Sequence, residues 1–267
     1  MSDDANNPWA TPPVVDPRCP SCWFRLKPGA TFCAQCGARV AAAPSPELAS
    51  ASMAMRLRGG GGDVKMVIWY FCLSLAVAAV WMIYARITEN GFNTFVGATI
   101  SLGVITVIFA IPNRALITEP AGRIGFGPLG YLLIAVAAVP IVLLVAGYVE
   151  AVNSWFGIKV PSELAEFDGK SVLWPILMIV VLPPLEEELA FRGLIYGGLR
   201  KSLTVTETFI VSSFAFAILH LSVPSLVTHF PLGLYLVWLR HKSNSLWPGV
   251  FAHACHNFGV CLLAWLR

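Results

Sequence analysis

Three short polar patterns interrupt the apolar C-terminal third of this chain. They are Glu187-Glu188 followed by Arg192, Phe216 followed by His220, and His253 followed by Asn257. A carboxylate and imidazoles can activate and hold a water molecule, and an asparagine amide can donate to a developing oxyanion. An ionisable group in an apolar helix is costly unless it pairs or faces a cavity. The combination points to hydrolytic chemistry carried out inside a bilayer.

Spacing sorts these residues. Glu188 and Arg192 are one helical turn apart and can pair. Glu187 lies roughly a quarter-turn away on a 3.6-residue helix, free to face a cavity. His253 and Asn257 share a face, so both can point into one pocket. His256 lies near that face too, and spacing does not choose between the two histidines. Each pattern alone has an ordinary explanation. Glutamates following Pro183-Pro184 suit a helix N-terminus, and a lone histidine in an apolar helix is commonly a satisfied core residue. A glutamate with two histidines could also hold a catalytic metal with an open water position, although no His-Glu-x-x-His occurs on one helix.

The elements that must position these groups are membrane helices. The 267 residues are 57% hydrophobic and 12% charged, with mean hydropathy +0.70. Soluble domains carry about twice that charge. The expected fold is therefore an all-α polytopic membrane protein. The net charge of +3 is small and scattered and argues against a nucleic-acid partner. No basic start leads into an apolar core, so no secretory signal peptide is expected. Apolar runs of about 20 residues span a bilayer. Seven are expected, at Met66–Tyr84, Phe92–Ile111, Leu129–Val149, from Val172 towards Leu199, Thr208–Leu221, Leu226–Leu239 and Leu246–Leu266. Basic residues at 56, 58 and 65, at 114 and 123, at 200 and 201, and at 240 and 242 fall on one side. That side is assigned to the cytosol, and the acidic stretch 150–170 falls on the other. On straight helices Glu187 and His253 come out in the cytosolic half. His220 comes out deeper unless its helix enters the membrane near Phe209.

The N-terminal region differs in kind. Residues 1–17 read as disordered, 18–40 as a cysteine module, 41–63 as an Ala/Pro/Ser/Gly linker ending in four glycines, 64–169 as N-terminal transmembrane helices and 170–267 as the core that carries the polar patterns. Cys19-x-x-Cys22 and Cys33-x-x-Cys36 are spaced to place four thiolates tetrahedrally around zinc. A closed four-cysteine site is structural, and a module this small needs such a staple. The module resembles the short zinc ribbon of many bacterial and archaeal membrane proteins, departing from it with Trp23 where glycine is common. The remaining cysteines, Cys72, Cys255 and Cys261, read as small buried hydrophobes.

Glu187-Glu188-Leu-Ala-Phe-Arg192-Gly, Phe216-x-x-x-His220 and His253-Ala-x-x-Asn257 together resemble the CPBP family of intramembrane proteases, also called the CAAX-protease, bacteriocin-processing or Abi group. The resemblance extends over roughly residues 170–262 and includes the run from Pro231 to Pro248. It implies that Glu187 is the general base that activates water and that His220 helps hold this water. His253 and Asn257 would stabilise the oxyanion, and Glu188 and Arg192 would brace the site. The expected function is then an endopeptidase acting on a membrane-associated peptide or protein in a prokaryotic cell membrane. The zinc ribbon would be cytosolic and available to a protein partner, and no catalytic cofactor would be needed. Two competing readings are an idle membrane scaffold or sensor that docks partners through the ribbon, and a Glu/His proton-coupled transporter. The absence of paired halves argues against the transporter.

Overall fold

The structure is a computed structural model that describes residues 19, 24, 26, 30–35, 37–39, 46–117, 126–157 and 163–266, with side chains in the first helix described from Asp63 onward. The chain divides into two compact units between Gly59 and Gly60.

In the first unit Cys19 and Cys33 are both buried, with Leu26 and Ala38 packed against them. The two cysteines head matching loops. Cys19 N–H donates to Phe24 O and Cys33 N–H to Ala38 O, both at 2.9 Å. Gly37 takes a positive φ of 68° that a side chain would resist, and Phe32 and Arg39 form an isolated bridge. Cys22, Cys36 and residues 1–17 lie outside the described residues.

Helix α1 runs Pro46–Thr88, so the expected linker is helical from Pro46 onward, its glycine run included. The stretch before the glycines is rich in Ala, Met, Leu and Arg, strong helix formers. Each glycine costs only about 1 kcal/mol relative to alanine. Helix α2 spans Gly91–Ala110, α3 is the single turn Arg114–Ile117, and α4 spans Pro128–Phe156. A 3-10 turn follows at Glu163–Phe167 inside the acidic stretch. Three helices, Asp63–Thr88, Gly91–Ala110 and Pro128–Phe156, are long and apolar enough to cross a membrane. They coincide with the first three expected spans.

The fourth span is not a regular helix. It is a rod over 173–199, called α5 below, that alternates between α and wider π turns. The order is Leu173–Pro175 α, Ile176–Val181 π, Leu182–Glu187 α, Glu188–Ile195 π and Tyr196–Leu199 α. Pro183 and Pro184 lack the N–H groups that would close normal turns here. Such π segments recur at functional sites. Helices α6 (Val205–Leu219), α7 (Val223–Ser243) and α8 (Trp247–Trp265) complete the chain. Among the described residues there is no strand, and the protein is an all-α polytopic membrane protein. Helices α5 to α8 fall short of the spanning criterion because they are short, broken or interrupted by ionisable residues.

The second unit packs around the middle of α5. Phe191, Leu194 and Ile195 are sealed against Phe216 of α6, Leu236 of α7 and Ala252 of α8. At one end of the bundle, Lys201 pairs with Asp63 at 2.9 Å and Tyr196 OH meets His241 Nδ1 at 3.1 Å. The positions at 65, 114, 200–201 and 240–242 therefore gather at that end. Two residues counted as loop charges are in fact buried. Arg200 donates to Leu203 O and Arg240 to Arg192 O, each at 3.1 Å. At the other end Phe167 packs edge-on against Phe92 and Phe95. Cys261 is buried and Cys255 half-buried, but Cys72 is exposed, on the outward face of α1 with Trp69 and Leu73.

Candidate active site

The three consecutive glutamates reach three different partners, because successive residues on a helix point about 100° apart. Glu186 faces the N-terminal helices. Thr106 Oγ1 donates to Glu186 Oε1 at 2.9 Å, and Tyr70 OH lies 2.8 Å from Thr106 Oγ1. The threonine proton is committed to the carboxylate, so the tyrosine is the donor in the second bond. This gives a directed chain from α1 through α2 to α5.

Glu188 is fully buried and pairs with Arg192 at 3.1 Å. Arg192 also donates to Gly233 O at 3.2 Å, and its guanidinium lies 4.5 Å over the Phe216 ring. The second carboxylate oxygen, Glu188 Oε2, faces α8 at Gly249. An added Cβ at Gly249 would stand 2.6 Å from that oxygen, so only glycine leaves it room.

His253 stands between the two remaining carboxylates. Its Nδ1 is 3.3 Å from Glu188 Oε1 and its Nε2 is 3.8 Å from Glu187 Oε2. A carboxylate paired with a guanidinium is ionised and can only accept, so Nδ1 carries a proton. Nε2 is thereby directed across a gap at Glu187. The geometry also separates the two candidate histidines, since His253 meets both glutamates and His256 bonds neither.

Asn257 donates from Nδ2 to Ile179 O at 2.9 Å. That carbonyl would normally be bonded by the N–H four residues on, or five in a π turn. Those residues are Pro183 and Pro184, and neither has one. The asparagine thus supplies the donor that the prolines withhold, and ties α8 to α5 beside the glutamates. Farther along α5, Ser212 donates to Phe191 O and Arg240 to Arg192 O, each at 3.1 Å.

His220 is the C-terminal cap of α6, which starts after a capping box at Thr204 and Glu207. The helix begins where the polar run begins, and His220 still stands level with the others. The Phe216 ring lies 5.1 Å from His220 and 5.8 Å from His253, centroid to centroid. A 15-residue helix is only about 22 Å long at 1.5 Å per residue. Its end therefore reaches no deeper than the middle of the bundle.

Residues 169–259 match the family model described as type II CAAX prenyl endopeptidase Rce1-like. A protein of Bacillus subtilis (strain 168) named "Putative membrane peptidase YdiL" is 26% identical over 164 residues, which is 60% of this chain and 66% of that protein. The chain thus spans just under two thirds of that relative. No solved structure matches. Residues 169–259 are thus similar to that endopeptidase family.

The matched segment takes in Glu187, Glu188, Arg192, His220, His253 and Asn257, but not Tyr70 or Thr106. Those two, with Glu186, were not singled out from the sequence. Thr106 is one of several polar residues in α2, beside Asn93, Thr94, Thr99 and Ser101, so no sequence signal singled it out. His229 was missed as well. It lies in α7 with its ring 3.8 Å from that of His220, reached through a turn whose geometry is not written in helical spacing.

Proposed function

We propose that this protein is an intramembrane endopeptidase that cleaves a membrane-associated peptide. The observation that carries the reading is His253, bracketed by Glu187 on one nitrogen and by the Glu188–Arg192 pair on the other. In this reading Glu187 takes a proton from a water held by His220. The resulting hydroxide attacks the scissile carbonyl, and the oxyanion is met by an Asn257 amide proton and by His253, whose Nε2 donates when both ring nitrogens carry hydrogen. Asparagine has two amide protons, and Ile179 O uses one of them. Glu187 then hands its proton to the leaving amine, so the C–O bond forms and the C–N bond breaks without a covalent enzyme intermediate.

The domain's family description names prenylated CAAX substrates, so an internally quenched peptide with an isoprenylated cysteine is the first probe. The wider test compares membrane peptides in cells that carry wild-type or Glu187→Gln protein. A peptide that accumulates only in the variant is the expected result, and identical peptide profiles would remove the endopeptidase reading.

For the cysteine module, the reading is a structural zinc held by Cys19, Cys22, Cys33 and Cys36, on the cytosolic side. The matched loops at Cys19 and Cys33 support it, because they bring both first cysteines to one buried centre. Purified protein should carry about one zinc per chain, lost in Cys33→Ser/Cys36→Ser. Elemental analysis checks this. Retention of the metal in that variant would refute the ribbon site.

A further inference from the structure

We propose that His229 is a further catalytic residue, which forms with His220 a paired-imidazole seat for the second proton of the attacking water. The proposal rests on the endopeptidase reading above. Its basis is a turn, a ring contact and the hydrogen bonds of two imidazoles.

The turn comes first. Helix α6 ends at Leu219, and α7 starts at Val223. Leu221 turns the chain with φ at 50°, a left-handed conformation uncommon for a side-chain-bearing residue. The reversal folds the first two turns of α7 back over the end of α6. His229 arrives against His220 with ring centroids 3.8 Å apart and planes inclined at 40°. Both rings border Phe216, at 5.1 and 5.9 Å, and His253 borders the same ring at 5.8 Å. The three imidazoles therefore surround one side chain.

The bonding of each ring settles its tautomer. His220 Nδ1 is 3.0 Å from Phe216 O, and His229 Nδ1 is 2.9 Å from Ser225 O. A carbonyl oxygen only accepts, so each Nδ1 carries the hydrogen. Thr228 Oγ1, 3.1 Å from His229 Nδ1, spends its own proton on Ser225 O and so does not reverse this. Each neutral ring therefore presents a lone pair at Nε2. Neither Nε2 bonds to a described protein atom, and both side chains are half-buried. Two adjacent acceptors without donors are unfavourable in an apolar interior, and water is the donor that fits both.

The chemistry has a use for such a pair. Of the two water protons, one goes to Glu187 and then to the leaving amine. The other stays on the oxygen that becomes the product carboxyl group. When that group ionises, its O–H proton passes to an Nε2. The His229 ring, 3.8 Å from that of His220, offers a second Nε2 lone pair, so the water keeps an acceptor when His220 holds the proton. No oxidant or cofactor enters this step.

The test uses full-length protein in lipid nanodiscs and the isoprenylated quenched peptide. His229→Phe keeps the ring contact and removes the acceptor, whereas His229→Gln keeps an acceptor oxygen. We expect kcat to fall about tenfold or more in His229→Phe, with KM within about twofold, and to recover to within about threefold of wild type in His229→Gln. Wild-type kcat in His229→Phe would overturn the proposal, as would a loss carried by KM alone. A dead Glu187→Gln beside an unaffected His229→Phe removes only the role of His229. An active Glu187→Gln removes Glu187 as the general base, and a peptide left intact by the wild-type protein counts against the endopeptidase reading itself. A second measurement needs no turnover. Nitrogen-15 spectra of histidine-labelled Glu187→Gln protein should show His220 and His229 both as Nδ1–H tautomers, with the His220 Nε2 resonance moved in His229→Phe. A proton on Nε2 of either neutral ring would overturn the pairing.

Discussion

Helices α2 and α5 are both predominantly apolar, yet both bury polar side chains, a hydroxyl in one and an ion pair in the other. In α2, Ile100, Val104, Val107 and Ile108 point outward, and the sealed residue is Thr106. In α5 the sealed residues include Glu188 and Arg192. In lipid, apolar side chains gain little by leaving the helix surface. Helix association leans instead on close packing and on polar bonds across the interface. The two helices meet through such a bond, from Thr106 to Glu186. What looks like an apolar half and a catalytic half is one bundle whose interior is unusually polar.

That comparison can be sharpened by separating interior polar groups that do chemistry from those that hold the bundle. The largest effect is expected at Glu187. Glu187→Gln should lower turnover by about 10²- to 10⁴-fold, the range for loss of a general base, and leave thermal unfolding nearly unchanged. Single-turnover assays beside unfolding in detergent measure both.

Glu188 should behave in the opposite way. Glu188→Ala leaves a buried guanidinium uncompensated, and Arg192→Ala leaves a buried carboxylate. Each should cost about 3–5 kcal/mol of stability, and Glu188→Gln/Arg192→Met should recover part of it. If Glu188→Ala unfolds like wild type and loses only activity, the division between chemistry and scaffold breaks down.

The link between the halves comes next. Thr106→Val keeps the shape of the side chain but leaves Glu186 without its donor, a loss of about 1–3 kcal/mol. Thr106→Ser should restore it. Ile108→Val on the outward face of the same helix should stay within about 0.5 kcal/mol. Equal losses at the two positions would mean that α2 is held by apolar packing after all.

The smallest effect lies outside the membrane segments, at the start of α6. The Thr204 backbone N–H and then its hydroxyl, both donating to Glu207 at 2.8 Å, hold the exposed Glu207 carboxyl below its usual value of 4.5. Because the folded value is depressed, the contribution is present above 4.5 and disappears as pH falls through the lower folded value. Thr204→Ala should cost about 1 kcal/mol near neutrality. The gap between the melting curves of wild type and variant should narrow in acid without closing, because the bond from Glu207 N–H to the Thr204 hydroxyl does not titrate. A gap that widens in acid would contradict the capping box.

Much of this was legible beforehand. Hydropathy over windows of about 20 residues located the membrane part of α1, all of α2 and the start of α4 closely, whereas α4 runs on past the expected Val149 to Phe156. Spacing of four paired Glu188 with Arg192 and put His253 and Asn257 on one face. The failures have identifiable physical reasons. The glycine run was read as a break, yet good helix formers lead into it. Arg200 and Arg240 were read as loop charges, yet both are drawn inward to carbonyls of the bundle. Glu186 was not singled out, because its partner lies 80 residues away.

Local physics therefore decided which segments are apolar helices, where they are capped, and which polar residues share a face within one helix. These depend on neighbours three or four residues apart, and the order of residues records them directly. Only the packed bundle decided that His253 rather than His256 meets the glutamates, that Asn257 serves the carbonyl stranded by Pro183 and Pro184, and that His229 faces His220. Those outcomes depend on the rotation and depth of each helix against its neighbours. Rotation and depth are set jointly by all the interfaces, so no single stretch of chain encodes them.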